Sequence, residues 1–168
     1  MLSPVDLNAL LLRTFDATAP ALETRRIQLE TELRTGLPQV AGDADRLQQV
    51  FINLINNALD AMPDGGDLRV RTLIAATQVT VEFADTGTGM SDEVRANIFD
   101  PLYTTKARGR GTGLGLFVVR QVVHEHGGEI EVESASGHGA MFRLRFPVVG
   151  AAIVSEVERA AVNVRSGD

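Results

Sequence analysis

Residues Asp45 to Met62 read DRLQQVFINLINNALDAM. Leu47, Val50, Phe51, Leu54, Ile55, Ala58 and Leu59 recur at the spacing of one helical face, which predicts a long amphipathic helix with that face in the core. The other face carries Asn53, Asn56 and Asn57 in mid-helix, where asparagine competes with the backbone for hydrogen bonds and is a poor helix former. Asn53 and Asn57 are four residues apart and Asp60 is three further on, so the three side chains line one stripe and offer neutral and anionic oxygens to a single partner. A hard cation carried by a phosphate ligand suits such donors. Taken alone, the stretch also fits a surface helix whose polar side faces water.

Outward from this helix the chain punctuates clearly. Asp43 is the expected cap, and Pro63-Asp64-Gly65-Gly66 is a strong stop. Upstream, Ser3 or Asp6 caps a helix beginning near Leu7, which Pro20 is expected to interrupt or restart. Ile27 to Leu33 alternates as a half-buried strand, followed by a turn at Gly36 and Pro38 and an extended piece through Val40. Downstream, Leu68 to Ile74 and Val79 to Ala84 read as an antiparallel hairpin. Ser91 starts a helix leading to Ile98 and Phe99, and Asp100 to Thr112 reads as a mobile loop. A helix then runs to Gly127-Gly128, and strands Glu129 to Ser134 and Ala140 to Phe146 flank a turn at Gly137 to Gly139.

A length of 168 residues, 44% of them hydrophobic, predicts one core. We divide the chain into a domain over 1–147, with its core at about 22–147 behind a lead-in helix at 1–21, and a loosely helical tail over 148–168. A net charge of -6 gives no support to a nucleic-acid surface, and the lack of cysteine excludes disulfides and thiolate metal sites. The longest apolar run, near Phe146 to Val154, contains Pro147 and Gly150 and falls far short of the roughly 20 residues of a membrane span. With no evident signal peptide, a cytoplasmic location without membrane contact is expected for these residues, although an intact sensor is free to be membrane-anchored elsewhere.

Two glycine segments carry the remaining chemistry. Asp85 closes a strand and is followed by Gly87 and Gly89, which lets backbone approach a flat ligand while the carboxylate accepts from an exocyclic amine. In isolation it also reads as an ordinary strand-end turn, and it lacks the acids of an EF-hand. Gly109, Gly111, Gly113 and Gly115 alternate just before a helix, where bare amides and the helix dipole favour an anion. The spacing is neither a Walker P-loop nor GxGxxG, and a flexible linker is the plainer alternative. Lys106, the only lysine, lies in the loop with Arg108 and Arg110, where it is either solvated or placed to close over a terminal phosphate. His124, His126 and His138 read as structural or turn residues.

In this order and spacing, the segments resemble the catalytic and ATP-binding domain of two-component sensor histidine kinases, within the superfamily that includes gyrase, Hsp90 and MutL. NLINNALDA at Asn53 to Ala61 is similar to the N box, DTGTGM at Asp85 to Met90 to the G1 box, FDPLYTTK at Phe99 to Lys106 to the F box, and GTGLGL at Gly111 to Leu116 to the G2 box. HGGEIEVES from His126 and SGHGAMF complete the pattern, from about Val5 to Pro147.

The resemblance implies an α/β fold, the two-layer sandwich called the Bergerat fold, with a mixed, mostly antiparallel sheet on three helices and ATP between the Asn helix and the loop. Asn57 would ligate Mg2+ with Asn53 assisting, and Asp85 would accept from the adenine amine. Gly87 and Gly89 would shape the base pocket, with Met90 and Ile98 as apolar wall. Gly111, Thr112, Gly113, Leu114, Gly115 and Leu116 would hold phosphates, and Lys106 would reach the terminal one. The hydrolysing relatives hold a glutamate one turn before the metal-binding asparagine; Asn53 stands there and cannot take a proton near neutral pH. Transfer to a protein nucleophile is therefore expected over hydrolysis, with Asp60 as a substitute base one turn on the other side. The partners implied are a phosphoacceptor histidine on a dimerisation domain and the receiver domain of a response regulator. No phosphoacceptor segment precedes the N box, and Ala140 replaces the serine or threonine usual in the last small box. A serine/threonine kinase of the anti-sigma type and a non-catalytic nucleotide-binding module are the alternatives of the same fold.

Overall fold

The computed structural model describes residues 2–101 and 115–149. The chain opens with β1 (Ser3–Val5) and α1 (Leu7–Thr24), then β2 (Ile27–Glu32), β3 (Val40–Gly42) and α2 (Ala44–Ala61). Next come the hairpin β4 (Gly66–Ala75) and β5 (Gln78–Asp85), the short α3 (Asp92–Asn97), α4 (Gly115–Glu125), β6 (Glu129–Ser134) and β7 (Ala140–Pro147). The Asp100 to Thr112 loop reading from Leu102 onward, and the tail reading from Gly150, lie outside the described residues.

Five strands form one sheet in the order β2-β4-β5-β7-β6, with only the β2–β4 pair parallel. Helices α1, α2 and α4 pack together over one face, which gives the expected two-layer α/β sandwich. α2 is the centre of that layer. Its Asp43 cap accepts the Asp45 and Arg46 amides, and all seven apolar residues of the sequence reading are buried. Burying each large apolar side chain contributes about 1.5–3 kcal/mol, against a few tenths lost per asparagine, so packing decides the helix despite its polar stripe. Phe51 of α2 meets Phe83 of β5 with ring centroids 5.7 Å apart, which ties the helix to the strand that ends in Asp85.

Two N-terminal features differ from expectation. α1 runs through Pro20 to Thr24 without a break, capped by Asp6, whose side chain accepts the Ala9 amide. The buried stripe Leu11, Phe15, Thr18 and Leu22 continues past the proline, and the carbonyl it orphans belongs to exposed Asp16, where water reaches it. Residues 3–5, included in the lead-in helix reading, instead pair antiparallel with β3 as a separate two-stranded ribbon.

The opposite face of the sheet is a lattice of charge. Glu30 and Glu32 of β2 meet Arg69 (3.3 Å) and Arg71 (3.0 Å) of β4. Arg71 (3.4 Å) and Arg143 of β7 (2.9 Å) both reach Glu82 of β5. Arg143 and Arg145 then bond Glu131 and Glu133 of β6 at 2.7 to 3.5 Å. Charge thus alternates strand by strand in the paired register.

Candidate functional site

The asparagine stripe and the strand-end glycines meet at the C-terminal end of α2. Gly87 is packed so closely there that a Cβ would run into the Ala61 carbonyl oxygen and stand 2.8 Å from the carbonyl carbon. The Thr88 amide donates to that same carbonyl at 3.0 Å, so the loop after β5 supplies a partner for one of the orphan carbonyls of the helix.

Asp85 is buried, and its Oδ1 accepts the amides of Gly87 (2.9 Å) and Ala140 (3.3 Å). Among the described residues no hydrogen bond is made to Oδ2. Burial pushes the carboxyl above its usual pKa, and the two amides act against that push. The β6–β7 turn closes over the loop. Gly139 donates to the Gly87 carbonyl (3.1 Å) and Gly137 to the Thr88 carbonyl (2.7 Å). Gly89 and Gly139 take φ of +68° and +72°, and a Cβ on either would strike a carbonyl of the facing segment, Ala135 or Asp85. Ser134 accepts the Met90 amide at 2.8 Å.

At the other end of the stripe α2 meets the start of α4. Asn53 is half-buried; its Oδ1 accepts from Gln49 (3.0 Å) and its Nδ2 donates to the Gly115 carbonyl (3.4 Å). The side chain of Asn57, half-buried one turn on, makes no hydrogen bond among the described residues. Asp60 is exposed in the last turn. His126 locks the far ends of α2 and α4 together: buried, it accepts the Asp43 amide at Nε2 (3.0 Å) and meets the Val122 carbonyl at Nδ1 (2.7 Å), which assigns the neutral Nδ1–H tautomer. Arg46 and Glu125 form an ion pair across the same helices. His126 is thus structural, and its role is to satisfy two backbone groups rather than to place charge at a helix end.

Met90 is half-buried against the core, and Ile98 is half-buried beyond α3. Beside Ile98, Phe99 packs on the core, edge-on to Phe142 at 6.4 Å, with the Arg120 guanidinium of α4 6.0 Å from its ring centroid. Gly115 opens α4 with no described atom within 4 Å of where a Cβ would stand, and Leu116 packs inward. Lys106, Gly111, Thr112, Gly113 and Leu114 lie outside the described residues. The structure thus brings together Asn53 and Gly115 at one end, and Asp85, Gly87, Gly89 and Met90 at the other. From Asn53 to Ala61, α2 spans about 12 Å at 1.5 Å per residue. The sequence reading did not single out Ser134 and Gly139 as site residues; the Gly137-His138-Gly139 turn, beginning three residues after Ser134 between two strands, was the available signal.

Among the described residues no helix is long and apolar enough to cross a membrane. No cluster of three or more His, Asp or Glu side chains suited to a metal occurs among them either. Residues 42–150 match the histidine kinase-, DNA gyrase B-, and HSP90-like ATPase family. The sensor histidine kinase ZraS of Escherichia coli O157:H7 is 40% identical over 147 residues, covering 88% of this chain and 32% of that protein. The chain therefore spans about a third of that relative's length. Among solved structures, the nucleotide-free catalytic domain of histidine kinase ThkA superposes with a TM-score of 0.79 at 29% identity, covering 88% of this chain and 96% of that one. ThkA in complex with response regulator protein TrrA also matches, with a TM-score of 0.73 at 25% identity, covering 88% and 42%. Full-length ShkA in complex with AMPPNP matches with a TM-score of 0.78 at 29% identity, covering 88% and 31%. These neighbours share the Bergerat fold. With α2, the glycine loop after β5 and the β6–β7 turn all inside the matched span, the chain belongs to the histidine kinase-, DNA gyrase B-, and HSP90-like ATPase family.

Proposed function

We propose that this chain is the cytoplasmic ATP-binding catalytic domain of a sensor histidine kinase. It holds Mg-ATP along the polar stripe of α2 and passes the γ-phosphoryl group to a histidine on a separate dimerisation domain. A receiver-domain aspartate of a response regulator takes the group next. Residues 1–147 form the catalytic unit and 148–168 a tail. The observation that carries this reading is the placement of the Asn53–Asn57 stripe between the Asp85 loop, docked on Ala61, and the start of α4 at Gly115. The AMPPNP complex of ShkA and the TrrA complex of ThkA support the ligand and the downstream partner by likeness.

The geometry of the described residues supports a role for each of several side chains. Asp85 offers Oδ2 to an exocyclic amine while Oδ1 is held by two amides. Gly87, Gly89 and Met90 wall the base, with Ile98 at the rim. The uncommitted carboxamide of Asn57 fits a hard cation that takes its other oxygens from phosphates and water. Magnesium held there would neutralise charge on the phosphates. Asn53, engaged on both sides, supports that turn and the α4 start rather than serving as a base. An amide at this position leaves water unactivated, which favours transfer to a positioned imidazole over hydrolysis. Leu116 and Gly115, with Gly111 to Leu114 before them, would cradle the phosphates, Lys106 would reach the terminal one, and Asp60 lies in the last turn of α2, three residues beyond Asn57.

Incubation with γ-labelled ATP and a separate histidine-bearing dimerisation domain tests the reading. Acid-labile label on that domain is expected. Acid-stable label on a serine or threonine would replace it with the anti-sigma type of kinase, and nucleotide binding without transfer with a regulatory module.

A further inference from the structure

Ser134, the last residue of β6, bridges the Asp85–Met90 loop and the β6–β7 turn. Its hydroxyl accepts the Met90 amide at 2.8 Å and donates to the Gly139 carbonyl at 2.7 Å. Gly139 precedes Ala140, which lies opposite Ser134 in the ladder and whose amide donates to Asp85 Oδ1 at 3.3 Å. The Ser134 carbonyl in turn accepts from Arg95 of α3 at 3.3 Å, so the residue also ties down the helix that follows the loop. One atom must accept at one side and donate at the other, which a hydroxyl does and neither a methyl nor a single carboxamide atom does. The Thr86 hydroxyl, in the same loop, is committed elsewhere: its Oγ1 accepts the Asp67 amide at 3.0 Å and contacts the Met62 sulfur at 3.7 Å. Ala140 has none to offer.

We infer that Ser134 is a positioning residue for base recognition: its hydroxyl latches the Asp85–Met90 loop to the β6–β7 turn and thereby sets where the Asp85 carboxylate meets the nucleotide base. The inference rests on the nucleotide-site reading above. The backbone bonds Gly137 to Thr88 and Gly139 to Gly87 do not involve the hydroxyl, so its removal frees the Met90 end while the turn stays docked.

The test uses the whole chain with Ser134→Ala and Ser134→Thr, the second keeping the hydroxyl. In the absence of nucleotide, amide exchange at Met90 is expected to rise about five- to tenfold in Ser134→Ala and to return towards the parent rate in Ser134→Thr, as loss of one hydrogen bond implies. ATP affinity is expected to fall by a similar factor and the ATP-to-GTP preference to narrow with it, again restored by threonine. Unchanged exchange at Met90, or an unmoved ATP-to-GTP ratio despite faster exchange, overturns the inference. A parent chain without ATP affinity overturns the nucleotide-site reading, and is told apart because exchange at Met90 is read without nucleotide.

Discussion

Gly87→Ala isolates the docking of the Asp85 loop on α2. Gly87 has no left-handed φ, so a methyl there meets no backbone objection; the obstacle is the Ala61 peptide, whose carbonyl carbon and Cβ would both lie 2.8 Å away. The loop must retreat by on the order of 1 Å to restore ordinary contact. That retreat breaks the 3.0 Å Thr88–Ala61 bond, which contributes about 1 kcal/mol, and adds about 1–3 kcal/mol of overpacking strain. A total of roughly 2–4 kcal/mol corresponds to a fall in Tm of roughly 5–15 °C for a chain of this size. A displacement near 1 Å at a binding corner also costs about 100-fold in function. Thermal melts and nucleotide titration of the variant read the two effects. Gly36→Ala is the control, since Gly36 has φ of +74° but open space around it; it carries backbone strain without touching the site. A Gly87→Ala variant that binds ATP as the parent does would show that the loop is not held where nucleotide affinity depends on it.

Asn57→Ala removes the uncommitted carboxamide, so magnesium-dependent ATP affinity is expected to fall more than tenfold while the melting curve stays close to the parent's; equal affinity in calorimetry with magnesium would refute the metal assignment. The pH dependence follows from Asp85. Burial raises its pKa above the ordinary 3.8, so on acidification it takes up a proton at a higher pH than an exposed aspartate would. For stability the sign is that of a raised carboxyl: the ionised form costs the nucleotide-free chain stability above the folded pKa, and that cost is relieved as pH falls through it. For binding the sign is opposite, because a proton on Oδ2 turns the acceptor into a donor facing an amine. ATP affinity should therefore fall with acidification beginning above pH 3.8, and Asp85→Asn should remove that dependence; an affinity flat down to that pH would refute the role.

What was legible in the sequence is what short-range physics fixes. α2 was readable because its apolar period, the Asp43 cap and the Pro63 to Gly66 stop all agree, and the β4–β5 hairpin because its alternation is unbroken. The Asn stripe stood out since its residues oppose helix propensity, and long-range packing confirms the helix around them. Pro20 misled because the local cost of a proline is visible in sequence, while the burial of Leu22 beyond it is not. The β1–β3 ribbon, the β2–β4 and β5–β7 pairings behind the strand order, and the Ser134–Met90 bond join residues 35 to 69 apart along the chain, which no local pattern encodes.

The charge columns of the open sheet face carry a consequence beyond one molecule. Both border strands are acidic, with Glu30 and Glu32 on β2 and Glu129, Glu131 and Glu133 on β6. Two copies approaching border to border would set carboxylate against carboxylate, so the free backbone groups along those rims are poor templates for intermolecular zippering. The arginines that hold these acids sit one strand inward, already engaged, and give a second copy no counter-charge to grip.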